Sequence, residues 1–132
     1  MSVFVDTSAL FAVLDADDQN HKLAEQAWAN LITQETELVC TNYVLVEIFA
    51  WVQHRLGMGA VRVLQEDVVP VLRVELVDES AHYAGVTALL IAARRQLSLV
   101  DCVSFDTMRR LGIKTAFTFD QHFAEQGFEH IP

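Results

Sequence analysis

Cysteine, proline and glycine are all scarce in this 132-residue chain, at two, two and five residues. So few chain breakers exclude a collagen-like or low-complexity polypeptide. Two cysteines exclude a disulfide-stapled scaffold, and the spacing of Cys40 and Cys102 fits neither a zinc site nor a redox pair. Both lie beside apolar residues, as buried thiols in a reducing cytoplasm do. No apolar run approaches the ~18 residues a membrane span needs. The opening "MSVFVDTSAL" lacks the basic region and cleavage site of a secretory leader. A cytoplasmic protein with no membrane association is therefore expected. Basic residues are also few, nine against eighteen acids, for a formal charge of -9. That balance argues against broad electrostatic adhesion to nucleic acid. Five of the nine bases, Arg94, Arg95, Arg109, Arg110 and Lys114, are nevertheless close together in the chain. They allow a local basic face, although a solvated helix surface is their plainer use.

What the chain has in plenty is apolar residues, at 52%. That suits one domain with a sizeable core, spanning 1–132. "SVFVD" reads as a short buried strand ending at Asp6. "TSALFAVL" starts a helix, and "DQNHKLAEQAWANLIT" is amphipathic, with Leu23, Ala27 and Leu31 near one face. "ELVCT" is a second strand, and Asn42 can cap the helix that follows. Gly57 and Gly59 end that helix, and another runs up to Pro70. "VLRVELV" suits an edge strand, followed by helices over "ESAHYAGVTALLIAARRQ" and from about Val100 to Leu111. "IKTAFTF" is a further strand, ending at Asp120. Strands alternating with helices, without an Asn-Gly hairpin signal, predict a three-layer α/β/α sandwich on a mainly parallel sheet.

Within "NYVLVEIFAWVQ", Glu47 is the one charged residue in a helix that is apolar all round. Such a helix belongs in a core, where an unpaired carboxylate is costly. Asp6 and Asp120 each follow an apolar strand at the edge where open parallel sheets bind ligands. Asp101 stands at a helix start in "LSLVDCVSF". If these four acids converge, their repulsion calls for a cation among them. Hard divalent ions with oxygen ligands, Mg2+ or Mn2+, fit that donor set. Each acid also has a purely structural alternative. Asp6 and Asp120 can be helix caps, and Ser98 with Asp101 can form a capping box. Glu47 can pair with Arg55 or Arg94. His21, His54, His82, His122 and His130 show no ligand spacing and read as surface or packing residues. Trp28 and Trp51 sit in helical apolar stripes, where packing outranks base stacking.

In this order, "VDTSAL" at 5–10, "VLVEIFA" around Glu47, "LSLVDCVSF" around Asp101 and "TFDQHF" at 118–123 form a set. The set resembles the four signature blocks of PIN-domain ribonucleases, and the small VapC-type toxins of prokaryotic toxin–antitoxin pairs in particular. The resemblance implies a PIN-like fold and Mg2+-dependent endoribonuclease activity, with Mn2+ as an alternative cofactor. By the same resemblance Asp6, Glu47, Asp101 and Asp120 take the acidic metal-site positions. Ser8 and Thr118 match hydroxyl positions that support the site or a phosphate, and no role carries over to His122. Ser104, at i+3 from Asp101, is better placed than Asp106, which projects about 140° away around a helix. Implied partners are an RNA substrate and an antitoxin of the VapB type. The "TALLIAARRQL" helix can contribute to a homodimer surface.

Phosphodiester hydrolysis needs activated water and relief of phosphoryl charge, both of which a divalent cation supplies. Asp6, Asp101 and Asp120 are the expected principal anchors, with Glu47 holding a second metal or orienting the water. In-line attack then leaves a 5′-phosphate and a 3′-hydroxyl, as the resemblance implies. Other readings are a non-catalytic PIN-like domain binding RNA or protein, and a housekeeping nuclease of the same fold. A phosphotransferase using Asp6 as nucleophile is a third, weakened because Ser8 stands where such enzymes commonly carry a second Asp.

Overall fold

The computed structural model describes residues 1–132. Five short strands form one parallel sheet: β1 (Ser2–Val5), β2 (Glu37–Thr41), β3 (Leu72–Glu75), β4 (Thr115–Phe117) and β5 (Glu129–Ile131), in spatial order β3-β2-β1-β4-β5. Strand β1 is central and its Val3, Phe4 and Val5 are fully buried, as a strand covered on both faces requires. Helices α1 (Thr7–Leu14), α2 (His21–Thr33), α3 (Asn42–Leu56) and α4 (Met58–Val63) belong to the connections leading out to β3. Helices α5 (Glu79–Ala92), α6 (Leu99–Leu111) and α7 (His122–Glu125) belong to those leading through β4 to β5. Right-handed crossovers running in opposite directions put the two helix groups on opposite faces of the sheet. The order of strands reverses between β1 and β4. Chain leaving their carboxyl ends there diverges to opposite sides and opens a crevice.

The α/β/α sandwich read from the sequence is the architecture found, with several local differences. The cap of α3 is Thr41, whose hydroxyl accepts from Val44 N at 3.2 Å, and not Asn42. Thr41 is the residue with extended backbone, whereas Asn42 is already helical and accepts from Val77 N at 2.8 Å instead. On α2 the buried stripe is Ala24, Ala27 and Leu31, and Leu23 is exposed. Helix α5 stops at Ala92, where Ala93 turns left-handed at φ 51°, so the Arg94–Gln96 stretch lies outside it. The helix expected up to Pro70 loosens after Val63 into a wide turn over Leu64–Val68. Strand β5 was not legible at all, because "EHI" is three residues, two of them charged or titratable.

Helix α3 is also less buried than its composition suggests. Val44, Ile48 and Val52 face the core, while Val46 is 71% exposed and Trp51 37%. The Trp51 ring meets Phe11 edge-on at 6.0 Å. The other side of α3 lines an apolar cleft through Tyr43, Val46, Ala50 and Trp51, with Glu47 at its wall.

Two packing features position the site. Gly85 of α5 lies so close to α6 that a Cβ there would stand 2.5 Å from Val103 Cγ2. Only glycine allows this approach. It presses α6 inward, so that Asp101, Cys102, Val103, Ser104 and Phe105 are all buried. Phe123, fully buried on α7, packs against Phe105 at 4.9 Å and Phe4 at 6.3 Å. Burying such a ring contributes on the order of 2–3 kcal/mol. It anchors the turn that carries Asp120 and His122.

Candidate metal centre

Asp6 leaves β1 at the crevice and occupies the cap position of α1, yet its side chain makes no capping hydrogen bond. Its Oδ2 instead accepts from Ser8 Oγ at 2.7 Å and from Thr118 Oγ1 at 2.9 Å. Thr118 comes from beyond β4, joined to β1 by the sheet register Phe4–Ala116 and Val5–Phe117. The two hydroxyls lie 3.3 Å apart and also accept from the backbone, Ser8 from Phe119 N and Thr118 from Asp120 N. Ser8 and Thr118 are therefore braces between the two strand ends, and the plain capping reading of Asp6 fails.

Asp101 does form the capping box of α6. Ser98 Oγ accepts from Asp101 N at 3.0 Å, and Asp101 Oδ2 accepts from Ser98 N at 3.1 Å. Asp120 Oδ1 accepts from His122 N at 2.9 Å, closing a local turn. A pattern runs through all three aspartates. One carboxylate oxygen is held by the protein, and the other takes no hydrogen bond from it. Carboxylates oriented in this way and left half free suit an oxygen-seeking cation.

Glu47 reaches the same region from mid-helix and is half-buried. Neither arginine proposed as its partner is available. Arg55 sits over the Phe11 and Trp51 rings at 5.4 and 5.7 Å, and Arg94 bridges Glu125 at 2.9 Å. The buried Thr7 hydroxyl lies near Glu47 and lowers its pKa somewhat, although it makes no well-formed hydrogen bond.

The electrostatics agree. Burial pushes the Asp6 carboxyl up to about 6; the Ser8 and Thr118 hydroxyls oppose this, and the negative charges of Asp101 and Asp120 add to it. Glu47 and Asp101 are raised, mainly by burial and then by neighbouring carboxylates. Asp6 and Glu47 are thus each within electrostatic reach of Asp101 and Asp120. The tightest grouping is narrower than expected. Ligand atoms of Asp101, Asp120 and His122 all lie within 4.8 Å of one another, and Asp6 and Glu47 stand outside that group. Such a nest of acids, with no lysine or arginine bonded to any of them, fits a divalent cation.

A PIN-domain sequence profile matches residues 3–129. The chain belongs to the PIN-domain family. VapC20 of Mycobacterium tuberculosis, a 23S rRNA-specific endonuclease, is 32% identical over 130 residues, covering 98% of this chain and 97% of its own. Its crystal structure, that of a sarcin–ricin loop cleaving toxin, matches with a TM-score of 0.86 over 96% of each chain. A VapC ribonuclease of Aquifex aeolicus is 22% identical over 131 residues, or 96% of this chain and 93% of its own. FitAcB of Neisseria gonorrhoeae, at 16% identity, covers 98% of this chain and 96% of its own with a TM-score of 0.71, a likeness of fold.

Within this PIN domain, one expected position turns out differently placed. Ser104 is fully buried and its hydroxyl donates to Val100 O at 2.8 Å, so it supports α6 and not the crevice. Asp106 points away, as expected, and pairs with Arg110 at 3.2 Å. The residue the sequence reading missed is His122. It is 8% exposed, and its Nδ1 lies 2.9 Å from Asp120 Oδ1 and 3.9 Å from Asp101 Oδ2. The available signal was the "DQH" triplet after β4, which puts a histidine two residues beyond a strand-end aspartate. Within the basic cluster Arg94 and Arg110 pair with Glu125 and Asp106 and Arg109 bonds Gln126, while Arg95 and Lys114 are exposed and make no ion pair. No helix is long and apolar enough to cross a membrane.

Proposed function

We propose that this PIN domain is a metal-dependent endoribonuclease that hydrolyses RNA phosphodiester bonds as the toxin of a toxin–antitoxin pair. The single observation that supports the reading is the grouping of Asp101, Asp120 and His122 within 4.8 Å, with Asp6 and Glu47 in electrostatic reach of both aspartates and no lysine or arginine bonded to any of these acids. Asp101 and Asp120 would hold the cation through carboxylate oxygens, with Asp6 braced by Ser8 and Thr118 and within electrostatic reach of both. A bound Mg2+ or Mn2+ supplies water activation and neutralises charge building on the phosphoryl oxygens. Glu47, its carboxyl kept above the ordinary range by burial, takes the proton of the attacking water. The water oxygen forms the new bond to phosphorus as the bond to O3′ breaks. O3′ takes a proton from solvent, leaving a 3′-hydroxyl and a 5′-phosphate, and Glu47 later releases its proton to solvent. Intact acids at all four positions weigh against a purely binding role.

The relatives' activity supports RNA as substrate, and ribosomal RNA is the first to try. A VapB-type antitoxin is the partner that would block the crevice. The exposed Leu90 and Ile91 of α5 support a homodimer contact. Buried, unpaired Cys40 and Cys102 are consistent with a cytoplasmic setting. The test is incubation of purified protein with bacterial total RNA, with and without Mg2+ or Mn2+. New 5′-phosphate ends that need the metal and vanish with EDTA are expected. RNA that is bound but never cut would overturn the catalytic reading.

A further inference from the structure

His122 fits neither of the roles ordinary for a buried histidine. A core imidazole normally satisfies both ring nitrogens with hydrogen bonds. Here Nδ1 is buried and has no hydrogen-bond partner, although Asp120 Oδ1 lies only 2.9 Å away. The contact is close but bent, so a proton on Nδ1 would not point at that oxygen. Without a proton, the nitrogen lies close to two carboxylates, Asp120 and Asp101, whose negative charge is unfavourable beside it. A cation bound among the three relieves that arrangement and gives the buried nitrogen a partner.

The spacing suits such an ion. Around a cation with bonds of about 2.1 Å, adjacent ligands lie about 3.0 Å apart and opposite ones about 4.2 Å. The His122 Nδ1 separations from Asp120 and Asp101, 2.9 and 3.9 Å, fall close to that range. The backbone that carries the imidazole is fixed on two sides. The next residue, Phe123, is locked between Phe4 and Phe105, and His122 N is tied to Asp120 Oδ1. The ring is thus positioned both by the core beneath Phe123 and by the turn that Asp120 closes.

We propose that His122 Nδ1 is a direct ligand of the metal held by Asp101 and Asp120, making the centre a mixed nitrogen–oxygen site. This rests on the metal-dependent reading above and names a donor outside the acidic set. One imidazole shifts preference away from hard, oxygen-only ions such as Mg2+ toward Mn2+ and later transition metals. His122 is then the residue that selects the metal.

The experiment is pulsed electron paramagnetic resonance on the full chain loaded with Mn2+, alongside calorimetric titrations with Mn2+ and Mg2+. The spectrum is expected to carry a 14N coupling that converts to the 15N pattern when histidine alone is 15N-labelled. His122→Gln is expected to abolish that coupling. It should weaken Mn2+ binding by at least the roughly 10–100-fold that losing an outer-shell partner costs, with a smaller change for Mg2+. A Mn2+ spectrum free of nitrogen coupling in the unmutated protein would overturn the proposal, and so would a coupling unchanged in His122→Gln. The labelled unmutated chain decides the matter even if the variant does not fold. Nitrogen coupling without RNA cleavage would remove the nuclease reading and keep the ligand; cleavage without coupling would do the reverse.

Discussion

Asp6 and Asp101 both stand at helix starts, and capping preference alone would treat them alike. The fold uses them differently. Asp101 has a local duty, closing the capping box with Ser98 through one oxygen, and its second oxygen takes no hydrogen bond. Asp6 caps nothing, and its partners are the hydroxyls of Ser8 and of Thr118, 112 residues away. One carboxylate is built into its own helix, whereas the other is held in place by a distant strand. A charge at Asp101 is therefore partly answered by local backbone, while a charge at Asp6 lacks any such backbone donor and is opposed by burial.

The sharpest way to break that contrast is Asp6→Asn. Removing several kcal/mol of charge stabilisation should slow RNA cleavage by about a thousandfold or more. The fold should survive, because no cap is lost. Gel-resolved cleavage rates with circular dichroism check both halves, and an Asp6→Asn protein cutting at the parent rate would remove Asp6 from the chemistry.

The next effect lies in the pH dependence of stability without metal. A buried acid whose folded pKa is raised binds its proton more tightly folded than unfolded. Stability therefore falls as pH rises from about 4 to about 6, the window between the ordinary value and that of Asp6. The loss from Asp6 is on the order of 3 kcal/mol. It should be missing from Asp6→Asn, so the two denaturation profiles should converge near pH 4 and separate by pH 7. Profiles that stay parallel throughout would mean that Asp6 is not buried as an unpaired charge.

Gly85→Ala probes the support beneath Asp101. The new methyl must displace Val103, so a loss of about 1–3 kcal/mol is expected in chemical denaturation. Metal affinity should fall with it if the α5–α6 contact sets the position of Asp101. The smallest effect belongs to Ser98→Ala, which removes half of the capping box and should cost about 1 kcal/mol. Cleavage should change little, since the free oxygen of Asp101 stays in place. An unchanged melting temperature would show that the box contributes nothing.

Much of the molecule could be read from the chain. Apolar runs located β1, β2 and β4, the first and last of them followed by an acid, and the 3.6-residue period located α2, because both signals are local. Strand β5 and the wide turn after α4 were not legible, since neither has a periodic apolar face. Helix α3 misled because its apolar residues line a cleft as well as the core. His122 was passed over because a single histidine carries no pattern; its meaning comes from Asp101, twenty-one positions earlier.

By itself the sequence determined the element types, the parallel α/β class and the four acids, since propensity, periodicity and charge act over a few residues at a time. Only the tertiary structure decided which oxygen of each aspartate is tied and which is free, that Arg55 and Arg94 turn elsewhere, and that an imidazole joins the acids. Those outcomes depend on β1 lying next to β4 and on Phe123 filling the space between Phe4 and Phe105. Contacts of that kind arise from how layers close over one another, which no stretch of neighbouring residues encodes.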